Sequence, residues 1–113
     1  MPVTELQRFK AEFFRALSHP IRIRLLETLA TGERSVQELQ AALGLDQPTV
    51  SQQLGLLRAK NIVLARKEGT TVIYALRDHL LGDLLDVARR IFNNQLVGGQ
   101  SLLRELQRET RRR

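Results

Sequence analysis

The sequence predicts a mainly α-helical fold with one small β-hairpin, in the order α-α-α-α-β-β-α-α. Apolar side chains recur at helical spacing along most of the chain. Two β-prone runs, residues 62–65 and 71–76, flank a glycine-containing turn. Two helices with good N-terminal capping residues are separated only by a short turn after Gly44. The 113 residues favour a single domain over residues 1–113, because 42% hydrophobic side chains are enough for a core.

Proline and glycine divide the first two predicted helices. Thr4 can cap the first helix, in which residues 6, 9, 13 and 17 are apolar at helical spacing. Pro20 suits the first turn of the second helix, where the missing N–H would have no partner within the helix. Gly32 ends that second helix.

The third and fourth helices begin at clear caps. Ser35 and Glu38 have the spacing of a capping box, in which each side chain bonds to the backbone N–H of the other residue. Gly44 suits the left-handed position at the end of the third helix. Asp46 can cap the fourth helix, and Pro48 falls in its first turn, where proline is tolerated.

The second half of the chain changes from strand to helix. Residues 62–76 predict a hairpin with a basic tip, in which Gly69 supplies a positive φ. Residues 79–97 and 100–113 show helical spacing again, with a break at Gly98–Gly99. A tight turn between capped helices followed by a hairpin predicts a winged helix-turn-helix, with residues 35–60 as the helix-turn-helix and residues 62–76 as the wing.

The fourth helix has an apolar underside and a polar outer face. Val50, Leu54 and Leu57 point inward, and short amides and hydroxyls remain outside. Glutamine can pair with adenine, and threonine can contact thymine. We predict that base edges are read by Gln47, Thr49, Gln52 and Gln53, that Ser51 binds a phosphate, and that Arg58, Lys60, Arg66 and Lys67 hold the DNA backbone.

Residues 47–77 are also distinguished by their charge and by a glycine within the fourth helix. Residues 47–77 hold five basic side chains and one acidic side chain. Such a clustered excess favours a polyanionic partner, here double-stranded DNA. Gly55 weakens the fourth helix by about 1 kcal/mol relative to alanine, and it permits a neighbouring element to approach closely.

Two stretches carry a family resemblance. FFRALSHPIRIRLLETL and SVQELQAALGLDQPTVSQQLGLLRAKNIVLARKEGTTVIYAL resemble the ArsR/SmtB family of bacterial transcriptional regulators, over roughly residues 9–92. The resemblance implies a homodimeric repressor that leaves its operator when an effector binds. Two copies of the fourth helix should then reach successive major grooves on an inverted repeat. It also implies dimerisation through the terminal helices, residues 1–17 and 79–113. The matching interface candidates are Phe9, Phe13, Phe14, Leu84, Leu85, Ala88, Ile91 and Phe92.

The metal and persulfide sites of that family are incomplete here. The third-helix metal site and the persulfide sensors need cysteines, and the chain has none. In the last-helix site Asp78 matches the first ligand, but Leu80 stands at the histidine position beside His79, and residues 91–94 offer no strong ligand. We therefore predict no metal and no cofactor, with Asp78 as a helix cap, His79 as a surface residue and His19 as a capping or packing residue.

Other function classes are disfavoured by composition. An enzyme is not expected, since the chain has two histidines, no cysteine and no glycine-rich phosphate loop. No apolar run reaches the length of roughly 18 residues that a membrane span needs, and the N-terminus does not resemble a signal peptide. These features predict a soluble, cytoplasmic protein that does not contact a membrane.

Several alternatives stay open. A winged-helix module that binds protein instead of DNA is the alternative function. The effector is unidentified: a small molecule at the dimer interface, a metal site of another kind, or no effector are all compatible with the sequence. The arginine-rich C-terminus is compatible with phosphate binding and with a solvated tail.

Overall fold

The computed structural model describes residues 1–96 and 99–112, without the side chains of residues 100 and 112. It comprises two compact units, Met1–His79 and Leu80–Arg113. The first unit contains α1 (Glu5–Leu17), α2 (Pro20–Leu29), β1 (Arg34–Ser35), α3 (Val36–Leu43), α4 (Gln47–Ala59), β2 (Val63–Glu68) and β3 (Thr71–Leu76). The second unit contains α5 (Leu80–Gln95) and α6 (Gln100–Arg112). This element order confirms the predicted mainly helical fold with a small hairpin.

Two capping boxes fix the starts of α1 and α3. The Ser35 hydroxyl accepts the Glu38 N–H at 3.1 Å, and the Glu38 carboxylate accepts the Ser35 N–H at 2.9 Å. These hydrogen bonds lower the pKa of Glu38. Thr4 makes the same reciprocal arrangement with Gln7, at 3.1 and 3.0 Å. The predicted caps of α1 and α3 are therefore confirmed, and the sequence analysis missed only Gln7 as the second half of the first box.

The starts of α2 and α4 are capped by single side chains. His19 Nδ1 accepts the Ile21 N–H at 3.1 Å, directly before Pro20. The Asp46 carboxylate accepts the Thr49 N–H at 2.9 Å, and this bond lowers the pKa of Asp46. The predicted capping roles of His19 and Asp46 are both confirmed. Asp46 thus sets the first turn of α4, and α4 is the helix that carries the four predicted base-reading side chains.

Residues with a left-handed backbone conformation turn the chain at the ends of α3 and α4 and between β2 and β3. Gly44 has φ 67° at the end of α3, and Gly69 has φ 62° between β2 and β3, as predicted. At the end of α4 the left-handed residue is Asn61, with φ 59°. There the Ile62 N–H donates to the Leu57 carbonyl at 3.0 Å, which closes α4 and starts the chain toward β2.

The sheet has three antiparallel strands in the order β1-β3-β2. The hairpin register runs from Val63 opposite Leu76 to Glu68 opposite Thr71. Strand β1 pairs Ser35 with Ile73, and it was not predicted because two residues are too short to show strand alternation. Since Ser35 also caps α3, this pairing joins the base of the wing to the start of the helix-turn-helix.

The core of the first unit lies beneath α4. Its buried apolar side chains come mainly from α2, α3, α4 and the start of β2, and they are Leu17, Leu25, Leu26, Leu29, Leu39, Leu43, Val50, Leu54, Leu57, Ile62 and Val63. Val50, Leu54 and Leu57 have no exposed surface, which confirms the predicted underside of α4. Each such side chain contributes about 1.5–3 kcal/mol by leaving water, so the rotation of α4 about its axis is strongly determined.

In the second unit, α6 packs against α5. Leu106 is buried, and Arg89 of α5 donates a hydrogen bond to the Thr110 hydroxyl of α6 at 2.6 Å. Both helices predicted for this unit are present, and α5 is slightly shorter than predicted, at Leu80–Gln95. The predicted break at Gly98–Gly99 and the predicted helix ends fall partly on residues 97, 98 and 113, which lie outside the described residues. Over the part of the chain that is described, no helix is long and apolar enough to span a membrane.

Candidate nucleic-acid interface

Gln52 lies at the centre of the exposed face of α4. A helix turns about 100° per residue, so Gln52 points almost directly away from the buried Val50 and Leu54. Pro48, Gln52, Gly55 and Ala59 are all exposed and form this outer face. The first three turns of α4 offer a proline, an amide and a glycine on this face, with little bulk around the amide. The predicted base-reading residue Gln52 therefore stands on the most accessible side of the helix.

Gln47 and Ser51 form a polar pair on one flank of that face. The Gln47 side-chain NH2 donates to the Ser51 hydroxyl at 3.2 Å, as residues four apart in a helix can do. Gln47 is exposed, and Ser51 is half-buried. The structure thus joins a predicted base-reading residue to the predicted phosphate ligand, and both side chains lie on the same flank of α4. Thr49 is half-buried on the opposite flank, and its N–H is held by Asp46.

Gln53 has a different environment from Gln52. It is half-buried, and its Oε1 accepts a hydrogen bond from Arg22 Nη1 of α2 at 3.1 Å. The same guanidinium donates from Nε to the Ala16 carbonyl of α1 at 2.7 Å. Arg22 was not among the predicted site residues, because sequence spacing does not relate its position on α2 to α4. The side chain of Gln53 therefore bonds within the protein, beside the outer face of α4.

On the wing, Arg66 is held in an ion-pair cluster. Its guanidinium bonds to Glu68 at 2.9 Å and makes two contacts with Glu33, one of them at 3.2 Å. The hydrogen bond from Arg66 lowers the pKa of Glu33, and the bond to Glu33 raises the pKa of Arg66. The predicted phosphate-binding role of Arg66 is therefore in competition with two carboxylates. Its observed contact joins β2 to the segment that leads into β1.

The other predicted backbone-holding cations differ in their partners. Lys60 lies 3.8 Å from Glu12 in an exposed ion pair, a contact that contributes little stability. The side chains of Arg58 and Lys67 are exposed, and neither side chain makes a hydrogen bond or ion pair with the residues that are described. Arg58 stands in the last turn of α4, and Lys67 stands on β2 near the turn of the wing. These two cations are the ones most available to phosphate groups.

The aromatic residues predicted for dimerisation are largely uncovered. On α1, Phe9 and Phe14 are 72% and 57% exposed. Phe13 is half-buried and packs edge-on against Phe14, with ring centroids 5.4 Å apart. Isolated apolar residues at a surface are common, but several aromatic rings on one short helix form a patch that favours a protein partner.

A second uncovered apolar face runs along α5. Ile91 and Phe92 are 48% and 52% exposed, whereas the predicted interface residues Leu84, Leu85 and Ala88 are half-buried. Two further exposed residues, Leu80 and Val87, were missed by the sequence analysis. Together, Leu80, Leu84, Val87 and Ile91 follow one another at steps of four, three and four residues. That is the spacing at which one helix packs along another, and it could have been recognised in the sequence.

The titratable side chains do not gather into a metal centre. Across residues 1–96 and 99–112, no group of three or more His, Asp or Glu side chains is placed to hold a metal ion. His79 is exposed, in line with its predicted surface position. The predicted absence of a metal or cofactor stays a prediction.

Comparison with known proteins identifies the family. Residues 19–64 match the profile described as bacterial regulatory protein, arsR family. An uncharacterized HTH-type transcriptional regulator of Mycobacterium tuberculosis, Rv0081, is 42% identical over 102 residues, which cover 89% of this chain and 90% of the relative. The crystal structure of Rv0081 superposes with a TM-score of 0.76 at 44% identity, over 82% of this chain and 94% of that one.

Two further relatives are transcriptional regulators of the same kind. The biofilm growth-associated repressor of Xylella fastidiosa is 41% identical over 85 residues, 75% of each chain. A homodimeric winged helix-turn-helix DNA-binding domain from Mycobacterium bovis, described as a possible ArsR-family regulator, has a TM-score of 0.73 at 30% identity, over 80% of this chain and 84% of that one. The exposed amide face of α4, the wing beside it and these similarities show that the chain belongs to the ArsR/SmtB family of winged helix-turn-helix transcriptional regulators and is not an enzyme.

Proposed function

We propose that this regulator is a homodimeric repressor that binds an inverted-repeat operator through α4. The observation that carries the proposal is the exposed, polar outer face of α4, with Gln52 at its centre and a fully buried underside of Val50, Leu54 and Leu57. The buried residues hold the helix rigidly while the amide stays accessible. A rigid helix with outward hydrogen-bonding side chains in its first turns suits the major groove.

The proposed contacts divide between bases and phosphates. Gln52 reads a base edge by donating and accepting at once, as glutamine does with adenine. The Gln47–Ser51 pair and Thr49 contact the groove walls on either side, and the α4 N-terminus favours a nearby phosphate. Arg58 and Lys67 contact the backbone, which positions the protein without reading sequence.

Homodimerisation is supported by the uncovered apolar faces on α1 and α5. A second copy would remove Phe9, Phe14, Val87 and Ile91 from water, at about 25 cal/mol for each Å² of apolar surface buried. The Mycobacterium bovis relative is a homodimer. Two copies of α4 related by a two-fold axis would reach successive major grooves about 34 Å apart, which is why we propose an inverted repeat. Repression is proposed from the Xylella fastidiosa relative, a repressor.

The experiment selects DNA from a randomised duplex library and then titrates the enriched duplex at rising salt. The unaltered protein is expected to enrich a two-fold symmetric motif and to lose affinity as salt rises, because phosphate contacts release counterions. Gln52→Ala is expected to relax preference at one base of each half-site and to cost about 1–3 kcal/mol. Gln107→Ala, an exposed amide on α6, is the matched control and should change neither quantity.

Two results would contradict the proposal. If the library yields no enriched motif and no binding at any salt, the winged-helix module that binds protein becomes the better description. If binding is specific but Gln52→Ala leaves every base preference intact, the assignment of the reading face is wrong.

A further inference from the structure

Arg22 joins three helices that the proposed function treats separately. Its Nε donates to the Ala16 carbonyl in the last turn of α1, at 2.7 Å. Its Nη1 donates to the Gln53 Oε1 of α4, at 3.1 Å. Arg22 itself lies near the start of α2 and is half-buried. One side chain on α2 thus holds the C-terminal end of α1 and the middle of α4 together.

In both hydrogen bonds the charged guanidinium of Arg22 donates to a carbonyl oxygen. No N–H of the same helix donates to the last four carbonyls of a helix. The Ala16 carbonyl, at the negative end of the α1 dipole, therefore gains a charged donor from Arg22. Guanidinium has only donors, so Gln53 must present its oxygen to Arg22. The amide of Gln53 is therefore held in one orientation, with its NH2 directed away from Arg22. Charge-assisted hydrogen bonds of this kind are stronger than neutral ones.

We infer that Arg22 and Gln53 form a clamp that sets the position of α4 relative to α1, and that Gln53 is a positioning residue instead of a base-reading one. The inference rests on the proposed function, in which α4 enters the groove and α1 contributes to the dimer. In a dimer, two copies of α4 must reach two grooves at a set separation. A contact that links each α4 to its own α1 fixes that separation, because α1 belongs to the proposed interface.

The placement of Gln53 supports this assignment. It lies about 100° around the helix from Gln52 and faces α2, so it does not share the centre of the outer face. Reading adenine with both amide atoms would require Oε1 to accept from the base as well as from Arg22, and the side chain to turn toward the centre of the outer face. Gln52 remains the amide with an open approach.

The test compares Arg22→Met, Gln53→Met and the double variant, using the duplex enriched by the unaltered protein. Each single change is expected to weaken binding by up to about tenfold, because α4 must then be ordered when DNA binds, at a cost no larger than the worth of the lost charge-assisted hydrogen bond. The double change should weaken binding no further. The base preferences recovered from the library should stay unchanged in all three variants. The salt dependence should stay unchanged as well, since neither residue contacts phosphate.

Arg24→Met is the matched control. Arg24 lies on the same helix and donates to the Leu43 carbonyl at 3.3 Å, a contact with α3 instead of α4. Its loss should leave DNA affinity within about twofold of the unaltered protein. A comparable loss of affinity in this control would overturn the inference, because the effect would then reflect general weakening of α2.

A measurement on the unaltered protein complements the variants. The Nε–H of Arg22 should give a slowly exchanging NMR signal with and without DNA, and the Gln53 side-chain NH2 should shift little when DNA binds. The Gln52 NH2 should shift strongly. A large shift of Gln53, or relaxed preference at one base in Gln53→Met, would overturn the inference.

Folding failure does not leave the inference untested. If Arg22→Met does not fold, Gln53→Met still keeps the Arg22 bond to Ala16 and carries the comparison. Additive losses in the double variant would overturn the clamp. Failure of the proposed function would look different, since the unaltered protein would then enrich no motif at all.

Discussion

Gly55→Ala is expected to stabilise the protein while weakening its binding to DNA. Gly55 is exposed in the interior of α4, and its φ is not positive. Apart from its chain neighbours and the backbone of its own helix, a Cβ at this position would meet no heavy atom of the described residues within 4 Å. Alanine removes the backbone-entropy cost of glycine in a helix, about 1 kcal/mol, which should raise the melting temperature by roughly 5 °C for a chain of this size.

The same change is expected to lower the affinity for DNA. The sequence predicted that Gly55 permits close approach of a neighbouring element, and no neighbouring element of the described chain approaches it. Gly55 lies one turn after Ser51 on the outer face of α4, so the body that approaches it in the proposed complex is DNA. A methyl group inserted there should cost about 1 kcal/mol or more, a loss of affinity of roughly fivefold.

The assay pairs thermal unfolding, followed by circular dichroism, with fluorescence anisotropy on the enriched duplex at constant salt. Gly44→Ala is the matched control, because a Cβ there is likewise more than 4 Å from other described residues, but its φ of 67° disfavours alanine. Gly44→Ala should lower the melting temperature. A lower melting temperature for Gly55→Ala would refute the helix argument, and unchanged DNA affinity would refute close approach of DNA at this position.

Three other perturbations address the wing, the second unit and the interface. Lys67→Ala should weaken binding to all duplexes by a similar factor, as measured by anisotropy. It should also reduce the slope of log affinity against log salt concentration by about one. Hydrogen bonds from Arg90 and Arg89 lower the pKa of Asp86 from 3.8 to about 2, so this pairing stabilises the protein above about pH 4 and is lost as the pH falls through about 2. Asp86→Asn should therefore remove part of the acid-induced loss of helical circular dichroism in that range, and an unchanged acid transition would contradict this. Ile91→Glu should convert dimer to monomer in sedimentation equilibrium without unfolding the chain, because Ile91 is 48% exposed; a persistent dimer would place the interface elsewhere.

Local features of the fold could be predicted because they depend on neighbouring residues. The caps by His19, Ser35 and Asp46 each involve a backbone N–H two or three residues away, so their signals lie in short stretches of sequence. The left-handed glycines at 44 and 69 follow from the same local logic. The buried underside of α4 could also be predicted, because its periodicity directly reports one face.

Long-range contacts could not be predicted from the same patterns. Strand β1 is two residues long, and only its pairing with β3 identifies it. Glu33 and Arg66 are 33 residues apart, and the sequence shows only two opposite charges. Arg66 was therefore predicted as a phosphate ligand on charge alone, whereas the structure shows how much of its hydrogen-bonding capacity is taken by carboxylates. The apolar face of α5 formed by Leu80, Leu84, Val87 and Ile91 is an intermediate case, since its spacing is visible in the sequence but its exposure is not.

The adjacent amides Gln52 and Gln53 show where sequence reasoning about the site stops. Polarity alone placed both on the outer face of α4, although a helix turns by about 100° between them, so only one can lie at its centre. Which one does depends on the position of α2, because Arg22 can reach Gln53 only if α2 lies on that flank. Burial of Val50 and Leu54 then leaves Gln52 opposite the core. This difference in environment is why we propose two roles for one residue type, a positioning role for Gln53, which is bonded within the protein, and base reading for Gln52, which is left open.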